Sequence, residues 1–184
     1  MEFCIPWQNW SNNDIQYGLH QVNTRIDNGL FVPIFYANQN VRCQAFHLLT
    51  PLIETIGIET TANGTFLKIV IPQAHEFTQR LIELDERNLQ QATTNRSQWW
   101  TQKGLMQYQT AVKRVESNKT VEWRIQIPDS GSFSCFDTLR KSWSQSNEPP
   151  CQKRKWKFVV RTSGLWIDNH SFGMEWKLIG AFAL

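Results

Sequence analysis

Long apolar runs are scarce in this chain. Nowhere do about 18 apolar residues follow one another, and the opening MEFCIPWQNW carries neither a basic leader segment nor an extended apolar stretch. No membrane-spanning helix and no secretory signal is expected, so the reading places the chain inside the cell and away from membranes. Cysteine is sparse too: Cys4, Cys43, Cys135 and Cys151 form no CxxC pair and have no histidine at finger spacing. That argues against a zinc site and against a small disulfide scaffold, and leaves four reduced thiols. Also missing are glycine-rich phosphate loops, carboxylate pairs, a serine set beside a histidine, and any internal repeat or βαβ rhythm. His20, His47, His75 and His170 stand alone, while Asp129, Asp137 and Asp168 sit beside turn residues, where aspartate commonly bonds its own backbone. No catalytic residue, metal ligand or cofactor is expected.

What is present suits one globular domain spanning 1–184, because a single core can serve a chain of roughly 200 residues. Apolar residues make up 41% of the chain, with 9 Trp and 11 Phe, enough to offset chain entropy over most of its length. Charge is divided unevenly. Residues 1–92 hold 5 Lys/Arg against 9 Asp/Glu, and residues 93–184 hold 14 against 7, so a polyanion would meet its favourable potential on surfaces built by the second half.

Residues 1–29 read as an N-terminal extension. From Leu30 to Ile71 short apolar runs alternate with Asn-Gln-Asn, Pro51 and Asn63-Gly64, and Asn-Gly between β-rich runs predicts that Ile56–Ile58 pairs with Phe66–Ile71. Pro72 ends that strand. From Gln73 to Ala92 the period changes: Phe77, Leu81, Ile82, Leu84 and Leu89 recur at helical steps, with Glu76, Glu83, Asp85 and Glu86 expected on the wet face. Val112–Val115 and Val121–Pro128 alternate strictly around a turn at Ser117–Lys119, which makes a hairpin, and Phe133–Phe136 makes a short strand. Residues 144–155, with Pro149-Pro150 and Lys153-Arg-Lys155, read as a mobile basic loop. Trp156–Arg161 and Phe172–Ile179 are expected to form the last hairpin. About eight strands with one or two helices predict a mainly β fold, an OB-type Greek-key barrel with additions, the alternative being a β-sandwich.

Basic and aromatic residues interleave in the second half. Unpaired bases stack on flat side chains, while Lys and Arg neutralise phosphates and release counterions, so this mixture points to single-stranded nucleic acid. Trp123, Trp156 and Trp176 lie in alternating strands and are expected in the core. Trp99, Trp100 and Trp143 have polar neighbours and are the candidates for base stacking; for the adjacent pair, one ring pointing outward and both buried in a loop corner are equally open. Lys103, Arg124, Lys153, Arg154, Lys155, Lys157 and Arg161 are the candidates for phosphate. A non-enzymatic structural or interaction module is the alternative, and a metal-dependent nuclease the third reading.

Several landmarks in order resemble the replicative single-stranded DNA-binding proteins of nucleocytoplasmic large DNA viruses and related elements: Phe77, Leu81 and Leu84-Asp85, then Ser97 with Trp99-Trp100, Val112-Lys113, Trp123-Arg-Ile125 ending at Pro128, Phe136-Asp137, and Leu165-Trp-Ile167 followed by Phe172-Gly173 and Trp176-Lys177. They span residues 31–180. The resemblance implies an OB-type fold, binding of displaced DNA strands without sequence preference during viral replication or recombination, and no catalysis. The expected place of work is a host nucleus or a cytoplasmic viral factory; the sequence leaves RNA open as a second ligand, and a homo-oligomer or a replication protein is the further partner considered. The chain departs from the pattern in being short and in ending Gly-Ala-Phe-Ala-Leu, without an acidic tail that would recruit partners.

Overall fold

A computed structural model describes residues 4–26, 29–100, 106–128, 134–136 and 155–183. Its first half runs β1 (Ile5–Pro6), β2 (Ile15–Tyr17), β3 (Gln21–Asn23), β4 (Gly29–Ala37), β5 (Arg42–Gln44), β6 (Phe46–Leu49), β7 (Ile53–Thr61) and β8 (Gly64–Pro72). Then come α1 (Glu76–Thr94), α2 (Arg96–Trp99), β9 (Gln107–Gln109), β10 (Val112–Val115), β11 (Thr120–Ile127) and β12 (Ser134–Phe136). The last four strands are β13 (Lys155–Thr162), β14 (Gly164–Ile167), β15 (Ser171–Met174) and β16 (Lys177–Ala183).

Five of these strands pair in a ring. β7 pairs with β8 across the Asn63-Gly64 turn, β8 with β11, β11 with β16, β16 with β13, and β13 returns to β7. Numbered by chain position within the ring, the neighbours run first, second, third, fifth, fourth, the Greek-key order of an OB-type barrel. Two seams are short: β11 meets β16 through Gln126 and Lys177, and β13 meets β7 through Lys155 with Glu54 and Trp156 with Ile53. The ring is therefore partly open. The fold is mainly β with two helices, as the sequence predicts, although its strands are shorter and more numerous than apolar runs alone suggest.

Period-two alternation fills the ring. Leu67, Ile69, Ile71, Val121, Trp123, Ile125, Trp156, Phe158 and Val160 are buried, and the residues between them face outward. Trp123 and Trp176 meet edge to face at 5.4 Å, Phe77 of α1 reaches Trp123 at 5.6 Å, and Phe46 lies 5.9 Å from Trp176. An indole hides about 200 Å², worth roughly 5 kcal/mol, which is why the tryptophans of the alternating strands stay inside.

The helix α1 starts where Pro72 halts β8. The His75 imidazole Nδ1 accepts the Phe77 N–H at 3.1 Å as its cap, and Glu76 complements the positive end of the dipole. Two sequence expectations fail on this helix. Leu89 is 48% exposed, whereas Asp85, placed on the wet face by periodicity, is buried. Its Oδ1 accepts the Tyr108 hydroxyl at 2.5 Å and the Ala111 N–H at 3.2 Å, and its Oδ2 accepts the Val112 N–H at 3.2 Å. Asn88 extends the cluster by donating to the Tyr108 hydroxyl at 3.0 Å and accepting the Tyr17 hydroxyl at 2.7 Å. Burial pushes the Asp85 carboxyl above its ordinary value, and these donors hold it down only in part.

The N-terminal segment is pinned to α1. Arg80 Nη1 donates to the carbonyls of Trp7, Gln8 and Trp10, and its Nη2 to Glu76 at 2.6 Å; Arg87 donates to the Ile15 carbonyl at 3.1 Å. These two arginines are committed to the fold and not to a ligand. Beyond the pins, β2 and β3 join β4, and a second sheet runs β2-β4-β14-β15-β9 with β3 and β5 also on β4. The expected last hairpin is thus divided: β13 pairs with β16 in the ring, while β14 pairs with β15 in the second sheet. Gly164 makes the division, because a Cβ there would stand 2.1 Å from the Val32 carbonyl oxygen.

Candidate nucleic-acid interface

Residues opposite one another in a ladder point to the same side of the sheet, so the ring's outer face can be read strand by strand. One row runs Glu59 on β7, Phe66 on β8, Gln126 on β11, Lys177 on β16 and Arg161 on β13. A second row sets Lys68 opposite Arg124. Phe66, Lys68, Gln126, Lys177 and Arg161 are half-buried, and Arg124 is exposed. The Arg124 guanidinium lies over the Phe66 ring, 4.5 Å from its centroid, which makes a flat cationic surface of the kind that also receives a base.

Carboxylates hold these cations in place. Glu59 lies 3.3 Å from Arg124 and 3.9 Å from Lys68, Glu122 lies 3.2 Å from Lys68, and Glu175 lies 3.1 Å from Lys177. Such partly exposed pairs are worth about 0–1 kcal/mol each, so a phosphate can displace them at small cost. The Arg161 Nε is buried and has no hydrogen-bond partner among the described residues.

Of the residues singled out by sequence, the fold brings Arg124 and Arg161 onto this face. Lys157 follows Arg161 on the same side of β13, opposite Phe182, and Lys155 stands exposed at the start of that strand. Trp99 is not a stacking residue: it is 3% exposed, because the single turn of α2 turns its ring inward, 6.2 Å from Tyr17. Trp100 is half-buried and meets Phe172 edge to face at 5.2 Å. Lys103, Trp143, Lys153 and Arg154, together with most of the basic loop, lie outside the described residues. Sequence reasoning did not single out Phe66, Lys68 or Gln126, and it named Lys177 beside Trp176 without placing it among the phosphate candidates. On β8 the outward side carries Phe66, Lys68 and Val70 with a single charge among them, so the run TFLKIVI reads as a strand without pointing to a binding face.

No family model matches the chain, and no curated protein matches it by sequence. Among solved structures it is similar to the single-stranded DNA-binding protein from bacteriophage Enc34, with a TM-score of 0.51 and 7% identity over 81% of this chain and 88% of that one. The chain shares its fold with a phage single-stranded DNA-binding protein. A looser likeness joins it to gp2.5, a single-stranded DNA binding protein encoded by bacteriophage T7, with a TM-score of 0.45 and 11% identity over 75% of this chain and 91% of that one. Both neighbours are bacteriophage proteins, and neither comes from a nucleocytoplasmic large DNA virus. No helix among the described residues is long and apolar enough to cross a membrane.

Proposed function

We propose that the outer face of β8, β11, β16 and β13 binds single-stranded DNA without reading its sequence, as an accessory to viral DNA replication or recombination. What supports the reading most is the Arg124 guanidinium stacked on Phe66, set on the second and third strands of an OB-type ring, the strand pair on which such barrels hold oligonucleotides. In this proposal phosphates track Lys68, Arg124, Lys177 and Arg161, and Lys157 and Lys155 continue the path along β13. Lys103, Lys153 and Arg154 add further phosphate contacts and Trp100 and Trp143 stack bases, while Trp99 takes no part. RNA is the second ligand of this proposal, because stacking and phosphate contacts of this kind serve either backbone.

Anisotropy of a labelled oligo-dT, titrated over a range of salt, tests this. The six cations of the described strands, Lys68, Arg124, Lys177, Arg161, Lys157 and Lys155, predict that log affinity falls against log salt with a slope of about −4 or steeper. Replacing Lys68 and Arg124 together by Ala weakens binding about tenfold or more and flattens the slope by about 1.4. Glu59→Gln, which frees Arg124 and leaves Lys68 paired with Glu122 alone, tightens binding. Affinity indifferent to salt, or unchanged in the double variant, rejects the reading.

A further inference from the structure

The second sheet turns a different kind of face outward. On its inner side Val32, Leu165, Ile167, Phe172 and Met174 are buried, so the residues between them point the other way. Phe31 and Trp166 stand opposite one another on β4 and β14, and Phe35 lies four residues further along β4; all three are half-buried. Each ring leans onto a glycine of a neighbouring segment. Where a Cβ would sit, Gly18 has a Phe35 ring atom at 2.8 Å, Gly164 a Phe31 atom at 2.7 Å, and Gly173 a Trp166 atom at 3.0 Å. Being half-buried, each of these side chains keeps part of its surface open to solvent.

The ladder neighbours of these rings are polar. Across the ladders their outward neighbours are Gln16, Gln21, Gln44 and Gln109, all exposed, and Arg42 closes one end. No residue in these outward ladder positions is acidic, in contrast to the ring face with Glu59 and Glu122. The carboxylate at the rim, Asp168, is taken up by the N–H groups of His170 and Ser171 and by the Ser171 hydroxyl.

We propose that Phe31, Phe35 and Trp166 form a second platform on which bases of a single DNA strand stack, with the glutamine amides offering hydrogen bonds to their edges. This rests on the reading of the chain as a single-stranded DNA-binding protein. An acid-free, amide-bordered set of rings fits an anionic ligand with flat, hydrogen-bonding bases, and aromatic residues on a sheet surface are a recurrent solution for stacking them. Arg161 and Trp166 are five residues apart, about 17 Å of extended chain, so a short segment joins the two faces.

Oligo-dT of about 6 and about 20 nucleotides, bracketing the site size of one OB fold, separates the faces. With Phe31→Leu and Trp166→Leu combined, affinity for the longer oligonucleotide is expected to drop at least tenfold while that for the shorter one stays as in the unaltered protein. The ring-retaining pair Phe31→Tyr and Trp166→Phe is expected to bind both as the unaltered protein does, and circular dichroism melts confirm that all three proteins are folded. Equal affinity of the leucine variant for the longer oligonucleotide overturns the platform, as does a loss that the ring-retaining pair shares. Failure of the unaltered protein to bind either length is a different result, which removes the proposed function itself.

Discussion

Gly164→Ala is expected to destabilise the chain by about 4 kcal/mol, beyond the usual cost of overpacking because the obstacle is backbone. The new Cβ would stand 2.1 Å from the Val32 carbonyl oxygen and 2.7 Å from the Phe31 ring. Phe31 could swing away, but Val32 is fixed within β4, which pairs with β14 on one side and with β2 and β3 on the other. Relief therefore requires parting β14 from β4, and with it the junction between the ring and the second sheet. For a chain of this size such a loss lowers the thermal midpoint by about 12 °C. A shift of under about 3 °C in a circular dichroism melt would show that the two strands are not so close.

A comparable loss, about 4 kcal/mol, is expected for Asp85→Ala, because it strands one buried and two partly buried donors at roughly 1–3 kcal/mol each. These are the N–H groups of Ala111 and Val112 and the hydroxyl of Tyr108, all now accepted by one carboxylate. Leu89→Ala, on the exposed side of the same helix, is the control and should change stability little. The pH dependence has a definite sign. Burial raises the folded carboxyl above its ordinary 3.8, so the folded chain binds this proton more tightly than the unfolded one. The group's contribution is then fully present below the unfolded value and is lost as pH rises through the folded one. Chemical denaturation should accordingly show a larger deficit for the variant near pH 4 than near pH 7, and a deficit that grows with pH would contradict the assignment.

Why Asp85 was misplaced by periodicity is instructive. Leu84 and Asp85 are neighbours at the shoulder of the buried stripe, and the donors that make the carboxylate tolerable come from backbone 26 and 27 residues away. Nothing local marks them. Trp99 fails for a related reason: its sequence neighbours are polar, but its spatial neighbour Tyr17 comes from the far end of the chain. Strands whose two faces differ chemically were legible, as in Val121-Glu-Trp-Arg-Ile, where the apolar members are buried and Arg124 is exposed. Strands apolar on both faces were not, which hid Trp166 within Leu165-Trp-Ile167. The ring order itself, which carries Lys177 and Arg161 round to Arg124, depends on pairings between distant segments and has no signature in spacing.

Backbone amide shifts of the isotope-labelled protein, followed while oligo-dT is added at low salt, test the central claim most directly. The account predicts that the largest changes cluster at Phe66, Lys68, Arg124, Gln126, Lys177 and Arg161, and that they fade together as salt is raised. Saturable binding that leaves these six amides unmoved would contradict it.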